Sequence, residues 1–189
     1  MDLYEVIERR RTIRVFKKGA SEEQLRRIMV AGTKAPSAIN RQPWEFILVQ
    51  DQKIIDRLAE IKFQQNKQDP PQRVKGDPAA AERLAQAQKD SFRNASIIAL
   101  CHPVDWERSV WMCLENMSLA AVAEGLGSGI VMYWGEEQKE AGKLLGLPKD
   151  YEVTAVFKIG VPGEEGFPRD KNPSAPRRPD FSWLHVNRF

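Results

Sequence analysis

The spacing of apolar residues divides the chain into alternating helices and strands. Apolar positions three and four residues apart predict amphipathic helices, and short continuous or alternating apolar runs predict strands. Helices are expected from Asp2, over Glu22 to Gly32, from Asp51 through Ile61, from Asp77 to about Arg93, from Asp105 to Gly125 and from Gln138 to Leu145. Strands are expected at 46–49, 96–101, 130–134 and 153–159, and an extended segment at 12–15. The pattern therefore predicts an α+β protein with a sheet of about four or five strands.

Capping residues and glycine set the expected ends of these helices. Ser21 opens a capping box, and Asp51, Asp77 and Asp105 stand where a first helical turn needs an acceptor. Gly125 is expected to end its helix in the left-handed conformation. The glycine-rich run that follows is not a dinucleotide-binding fingerprint, because it comes after a helix rather than between a strand and a helix.

Three stretches leave alternatives open. The helix from Asp105 is apolar on more than one face, so it is either the core helix or a subunit contact. The apolar run 130–134 is either an ordinary strand or a segment whose backbone lies against a flat ring. Residues 63–75 are polar and contain prolines, which favours a mobile excursion over the surface and a possible lid within a variable 63–94 segment.

The loop between the second helix and the first strand is dense in hydrogen-bonding side chains. Ser37, Asn40 and Gln42 lie between Pro36 and Pro43, which fix their own φ angles. A stiffened loop of this kind suits a ligand rich in hydroxyl and amide groups, because rigidity lowers the ordering cost of binding. The alternative is a polar turn followed by a core tryptophan.

A cluster of arginines follows the first helix. Arg9, Arg10, Arg11 and Arg14 fall within six positions, and their mutual repulsion calls for a nearby anion. One interpretation is a solvated basic turn. The other is a phosphate site, in which arginine supplies forked and permanently charged donors.

Composition narrows the class of protein. With 189 residues, 42% apolar and 29% charged, the chain is expected to form one soluble globular domain. A net charge of +3 is too small to indicate a nucleic-acid-binding surface. Cys101 and Cys113 lie in apolar runs and are expected to be buried thiols, and no cysteine or histidine cluster has metal-ligand spacing. A charged N-terminus and the lack of a membrane-spanning apolar run favour a cytoplasmic protein that binds neither membranes nor metals.

Several short motifs, taken together, resemble the FMN-dependent nitroreductase family. In chain order they are Arg10-Arg11-Thr12-Ile13-Arg14-x-Phe16, Pro36-Ser37-x-x-Asn40-x-Gln42-Pro43-Trp44, Ala123-Glu124-Gly125-Leu126-Gly127-Ser128, Leu147-Pro148, Ile159-Gly160-x-Pro162 and Arg177-Arg178-Pro179. Each is weak alone, but together they cover nearly the whole chain in the family's order. The resemblance implies one nitroreductase-like domain over 1–189, a three-layer α/β/α sandwich with a mostly antiparallel sheet. It also implies that a C-terminal arm, 162–189, is exchanged in a homodimer.

The resemblance assigns the basic residues to FMN. Arg10, Arg11 and Thr12 would hold the phosphate and ribityl chain, and Arg177 would close on the phosphate. Arg14 would approach the N1–C2=O edge of the flavin, where negative charge accumulates on reduction.

The resemblance also assigns two uncharged segments to FMN, which would be bound at the subunit interface. The loop positions expected at the cofactor are Pro36, Ser37, Asn40 and Gln42, with Ser37 and Asn40 reaching FMN from the other subunit. The positions expected to line the isoalloxazine, with a backbone N–H near N5, are Ile130, Val131 and Met132.

The implied activity is that of an oxidoreductase in which tightly bound FMN carries the chemistry. NADH or NADPH would reduce FMN at N5 and leave, and a small acceptor such as a nitroaromatic or a quinone would follow in a ping-pong cycle. No side chain is expected as a general acid or base. The alternatives are another reaction on the same scaffold (reductive dehalogenation, flavin-consuming oxygenation or dehydrogenation) and a non-catalytic flavin-binding protein.

Overall fold

The computed structural model describes residues 1–163 and 182–188. The helices are α1 (Leu3–Arg9), α2 (Glu22–Gly32), α3 (Gln52–Gln68), α4 (Pro78–Asp90), α5 (Glu107–Ala123) and α6 (Gly135–Leu144). The strands are β1 (Phe16–Gly19), β2 (Glu45–Val49), β3 (Ser96–Pro103), β4 (Gly127–Val131) and β5 (Tyr151–Pro162). Short 3₁₀ helices lie at Ala38–Asn40 and Gln72–Val74. The predicted mixture of helices with about five strands is confirmed.

One antiparallel sheet organises these elements around β5. β3 pairs with residues 151–159 of β5, and β1 continues along the same edge at 160–162. β4 pairs with residues 156–160 from the opposite edge. β2 pairs with the far side of β3, so β4 and β2 form the borders of the sheet over most of its length.

Apolar side chains cover both faces of the sheet, which gives three layers. On one face the helices α2 and α5 pack against the sheet residues Ile98, Leu100, Ala155, Phe157 and Ile159. On the other face α3 and α6 pack against Ile97, Ala99, Cys101, Val153 and Val156. Because side chains alternate along a strand, β3 and β5 supply both cores at once. The predicted α/β/α sandwich is therefore confirmed.

Several predicted helix ends are confirmed by the hydrogen bonds of their caps. Ser21 forms the capping box of α2, accepting from Gln24 N. The side chains of Asp51 and Asp77 accept the backbone N–H groups of Lys53 and Ala80. After α5 ends at Ala123, Gly125 takes the expected left-handed conformation, with a φ of 74°.

Three local predictions are wrong. Asp105 does not cap α5: it has a φ of 75°, and Trp106 holds the cap position without a side-chain bond. The polar stretch after Ile61 does not leave the fold at Phe63, because α3 runs to Gln68 and buries two of its polar residues, Gln65 and Asn66. The strand expected at 130–134 instead occupies 127–131, so β4 begins within the glycine-rich run.

Within the described residues, no helix is both long enough and apolar enough to cross a bilayer. The interpretation of 162–189 as an arm falls largely on residues 164–181, which lie outside the described part of the chain, and so does Arg177.

Candidate functional site

The arginine-bearing segment lies against the border of the sheet at β4. The Ile13 N–H donates to the Ser128 carbonyl at 2.7 Å, and Thr12 forms a parallel bridge with Ser128. A Cβ on Gly129 would stand 2.3 Å from the Ile13 carbonyl oxygen, and a Cβ on Gly127 would stand 2.4 Å from the Ile13 side chain. Glycine is therefore required at both positions for the segment to approach β4 this closely.

The side chains of residues 10–14 make different contacts around the Ile13–Ser128 hydrogen bond. Arg10 follows the last turn of α1, and its Nε lies 3.8 Å from Oε1 of Glu115 on α5. The Arg11 guanidinium donates to the backbone carbonyls of Glu8 and Arg10. Thr12 is exposed and Arg14 is half-buried. The structure thus brings four of the predicted FMN residues, Arg10 to Thr12 and Arg14, to one border of the sheet.

The same border carries the predicted flavin-lining residues. Ile130 and Met132 have exposed fractions of 37% and 44%, whereas Val131 between them is buried in the core. Ser128 gives its carbonyl to Ile13 and not to β5, so by the alternation of an antiparallel pair Ile130 turns its N–H and C=O the same way. Backbone polar groups and partly exposed apolar side chains therefore occur side by side here.

Two lysines that the sequence did not indicate are buried next to this border. Lys62 of α3 donates to the Met132 carbonyl at 3.0 Å and to Gln65 Oε1 at 2.8 Å, and its Nζ lies 4.1 Å from the centroid of the Trp134 ring. Lys158 of β5 is paired with Gly129 and is only 1% exposed. A charged residue in a strand covered on both faces is the signal that could have identified Lys158.

Burial acts on the protonation of both lysines. Desolvation lowers the pKa of Lys62 to about 8, opposed by the carboxylates of Glu137 and Asp69. Desolvation also lowers the pKa of Lys158 to about 7, and the positive charges of Arg14 and Lys62 lower it further. The pKa values of both lysines behind the β4 border therefore lie near neutral pH, where each amine can gain or lose a proton.

The polar loop predicted to bind a ligand has a strained backbone. Ile39, Asn40 and Gln42 all have φ near +50°, a region that a β-branched residue such as isoleucine rarely occupies. Ser37 Oγ accepts the Gln42 N–H at 2.9 Å, which closes the loop on itself. Ile39 is 90% exposed. Strained, exposed residues of this kind persist where the surrounding structure fixes them, and they cluster at functional sites.

The outcome for the predicted site is mixed. The structure gathers the 10–14 segment and 130–132 at β4, and it places Pro36, Ser37, Asn40 and Gln42 in a separate exposed loop. The hydrogen bonds that Ser37 and Gln42 make with their side chains stay within that loop. The described residues contain no group of three or more histidine, cysteine or acidic side chains that could hold a metal ion.

Comparison with known proteins gives consistent matches over nearly the whole chain. A protein of Archaeoglobus fulgidus, named by inference as an NADH dehydrogenase or NAD(P)H nitroreductase, is 32% identical over 82% of this chain and 83% of its own length. The iodotyrosine deiodinase of Thermotoga neapolitana is 27% identical over 93% of each chain. A crystal structure of oxidized iodotyrosine deiodinase bound to FMN and 3-iodo-L-tyrosine superposes with a TM-score of 0.71 at 25% identity, covering 95% of this chain and 100% of that one. The model of the nitroreductase family matches residues 7–161, and the chain therefore belongs to the nitroreductase family of flavoenzymes.

Proposed function

We propose that the protein is an FMN-dependent oxidoreductase that takes a hydride from NADH or NADPH and passes it to a small acceptor. The observation that carries this proposal is the meeting of the arginine segment, the 130–132 border and two buried lysines at β4. Such a site offers positive charge to a phosphate and to an electron-rich ring edge, and apolar side chains to a flat ring. The residues present therefore fit FMN.

Each group has a defined part in this proposal. Arg10, Arg11 and Thr12 hold the phosphate and ribityl chain, with Arg177 assigned to the phosphate as well. Arg14 supplies fixed positive charge where reduction places negative charge. Of the three positions assigned to the ring, Ile130 and Met132 line it with their side chains and exclude water, and Val131, whose side chain is in the core, lines it with its backbone. When bound, FMN supplies the hydride-accepting and hydride-donating atom, N5.

We also propose a homodimer in which Ser37 and Asn40, with the neighbouring Pro36 and Gln42, reach the FMN of the second subunit. Large apolar side chains on α1 and α5 support this, because Leu3, Tyr4, Ile7 and Met112 are all exposed. The 162–189 segment is proposed as the exchanged arm, and 63–94 as the segment that selects the acceptor. Sedimentation equilibrium of the FMN-loaded protein is expected to give twice the mass of the chain, and a monomer that binds FMN at full strength would contradict the shared site.

The phosphate assignment is tested by titrating the apoprotein with FMN and with riboflavin, which lacks the phosphate. We expect FMN to bind at least tenfold more tightly, and Arg10→Met to reduce that ratio while leaving riboflavin affinity unchanged. Arg93→Met, an exposed arginine after α4, is the matched control and should leave the ratio unchanged. Equal affinity for the two ligands in the native protein would contradict the phosphate site.

A second candidate reaction is reductive dehalogenation, because an iodotyrosine deiodinase matches 93% of this chain. The two reactions are separated by supplying the anaerobically reduced protein with a nitroaromatic, a quinone or 3-iodotyrosine. Reoxidation of the flavin by the first two supports the proposed oxidoreductase. Reoxidation by 3-iodotyrosine alone, with release of iodide, would replace it with the dehalogenase.

A further inference from the structure

Lys158 occupies an unusual place for a lysine. It lies on the central strand β5, between Ile97 of β3 and Gly129 of β4. A Cβ on Gly129 would stand 3.4 Å from Lys158 Cε, so the side chain passes directly beneath the point where Ile13 crosses β4. The amine of Lys158 thus lies on the same side of the sheet as the Ile13 carbonyl oxygen, which contacts β4 at Gly129.

The hydrogen bonds of Lys158 leave donors available. Its Nζ donates to Ser91 Oγ, and the Ser91 hydroxyl donates in turn to the Gln88 carbonyl at 2.6 Å. Its Nζ also lies over the face of the Phe92 ring, 5.2 Å from the ring centroid. An ammonium group has three N–H donors. Lys62, by comparison, has two hydrogen-bond acceptors and a stacked indole.

Among the described residues, the charged groups that act on the pKa of Lys158 are both positive. Arg14, in the segment beside β4, and Lys62, on α3, both lower the pKa of Lys158 through their positive charges. The neighbours from α4, β3 and β4 (Ser91, Phe92, Ile97 and Gly129) are uncharged. The ion pairs among the described residues do not include Lys158, and its pKa is lowered to about 7, mainly by burial. A buried ammonium in such surroundings is unfavourable unless an anion binds beside it.

We propose that Lys158 is the proton-holding group of the flavin site: its Nζ takes up a proton when the bound FMN gains negative charge on reduction. The inference rests on the proposed function and goes beyond it, because it assigns a coupled proton to a residue outside the predicted site. Hydride delivery by NAD(P)H brings two electrons and one proton, which adds one negative charge to the site. Lys158 then takes a second proton from solvent at its neutral amine, and the charge of the site is restored.

The proposal has a defined electrochemical consequence. At about pH 6, Lys158 is protonated in both redox states and favours the reduced flavin. Replacing it by methionine, which keeps the volume, should lower the equilibrium constant for reduction at least tenfold, or about 30 mV for a two-electron couple. The difference should shrink toward about pH 10, where the amine is neutral.

The test is the midpoint potential of the FMN-loaded protein against pH, measured by anaerobic spectroelectrochemistry for native protein, Lys158→Met and Lys158→Arg. The arginine variant keeps the charge at every pH, so its potential should stay above that of Lys158→Met throughout the range. Lys53→Met removes an exposed lysine of α3 and should leave the curve unchanged.

A pH indicator should record fewer protons taken up per reduced flavin in Lys158→Met near pH 8. Equal potentials for native protein and Lys158→Met, or a difference that does not depend on pH, would overturn the proposal. If the native protein bound no FMN, that result would instead contradict the proposed function.

Discussion

The substitution Gly129→Ala tests how the arginine segment is held at the site. A Cβ at this position would lie 2.3 Å from the Ile13 carbonyl oxygen, a distance that real Cβ contacts do not reach. The obstacle is backbone and not a flexible side chain, so the 12–14 segment must move away from β4. The Ile13–Ser128 hydrogen bond, 2.7 Å long, is then lost.

The magnitude follows from two contributions. Losing one backbone hydrogen bond costs about 0.5–1.5 kcal/mol, and forcing an extra methyl group into a packed contact costs about 1–3 kcal/mol. The free energy of unfolding should therefore fall by about 1.5–4.5 kcal/mol. Because Thr12 and Arg14 flank Ile13, we expect FMN affinity to fall at least tenfold in the variant that remains folded.

The matched control is Gly142→Ala on α6. A Cβ there would stand 3.6 Å from Leu147 Cδ1, an ordinary van der Waals contact. Glycine to alanine in a helix interior should raise the free energy of unfolding by about 0.5–1 kcal/mol. Urea unfolding and flavin fluorescence titration measure both variants. If Gly129→Ala had the same free energy of unfolding and the same FMN affinity as the native protein, the contact between Ile13 and β4 would not be what holds the site together.

Two further predictions concern buried titratable groups. Because the pKa of Lys158 falls from 10.5 to about 7 on folding, the unfolded chain binds more protons between these values. Its contribution to stability therefore rises with pH there, by up to about 1.4 kcal/mol per unit. The difference in the free energy of unfolding between native protein and Lys158→Met, measured with urea, should change with pH by this slope, and a difference that stays constant would contradict the lowered pKa of Lys158. Burial raises the pKa of Cys101 and of Cys113 to about 12, so a thiol reagent at about pH 8 should label both only after denaturation; labelling of the folded protein would contradict their burial.

Much of the fold is encoded locally and could be predicted. The cap residues Ser21, Asp51 and Asp77 lie next to the backbone groups that they satisfy, so sequence alone locates the helix starts. The start of β4 was misplaced by three residues because Gly127, Ser128 and Gly129 carry no apolar alternation. Its identity comes from pairing with β5, a contact between distant parts of the chain.

The helix α3 illustrates a second limit. Its last turns contain Lys62, Gln65 and Asn66, which look like surface residues but are buried. Lys62 and Gln65 donate to the carbonyls of Met132 and Trp134, which are 70 and 69 residues away along the chain. No local pattern reveals such partners. The start of α5 failed for a related reason, because an unpredicted turn placed Asp105 in the left-handed region.

The candidate site was predictable only in part, because local composition reveals some of its residues and only the fold reveals the others. Arg10 to Arg14 and the 36–44 loop have unusual composition, which local inspection detects. Lys158 is a charged residue between the apolar residues Phe157 and Ile159 of β5, and its role depends on what surrounds it. Only the fold shows that Ser91, Arg14 and Gly129 converge on it.

The central claim is that this chain binds FMN and accepts electrons from a nicotinamide nucleotide. The visible absorption spectrum of the purified protein, recorded before and after anaerobic addition of NADH and then NADPH, tests it most directly. The account predicts a yellow protein whose flavin bands bleach with at least one of the two nucleotides. A colourless protein that takes up no FMN, or a bound flavin that neither nucleotide bleaches, would contradict it.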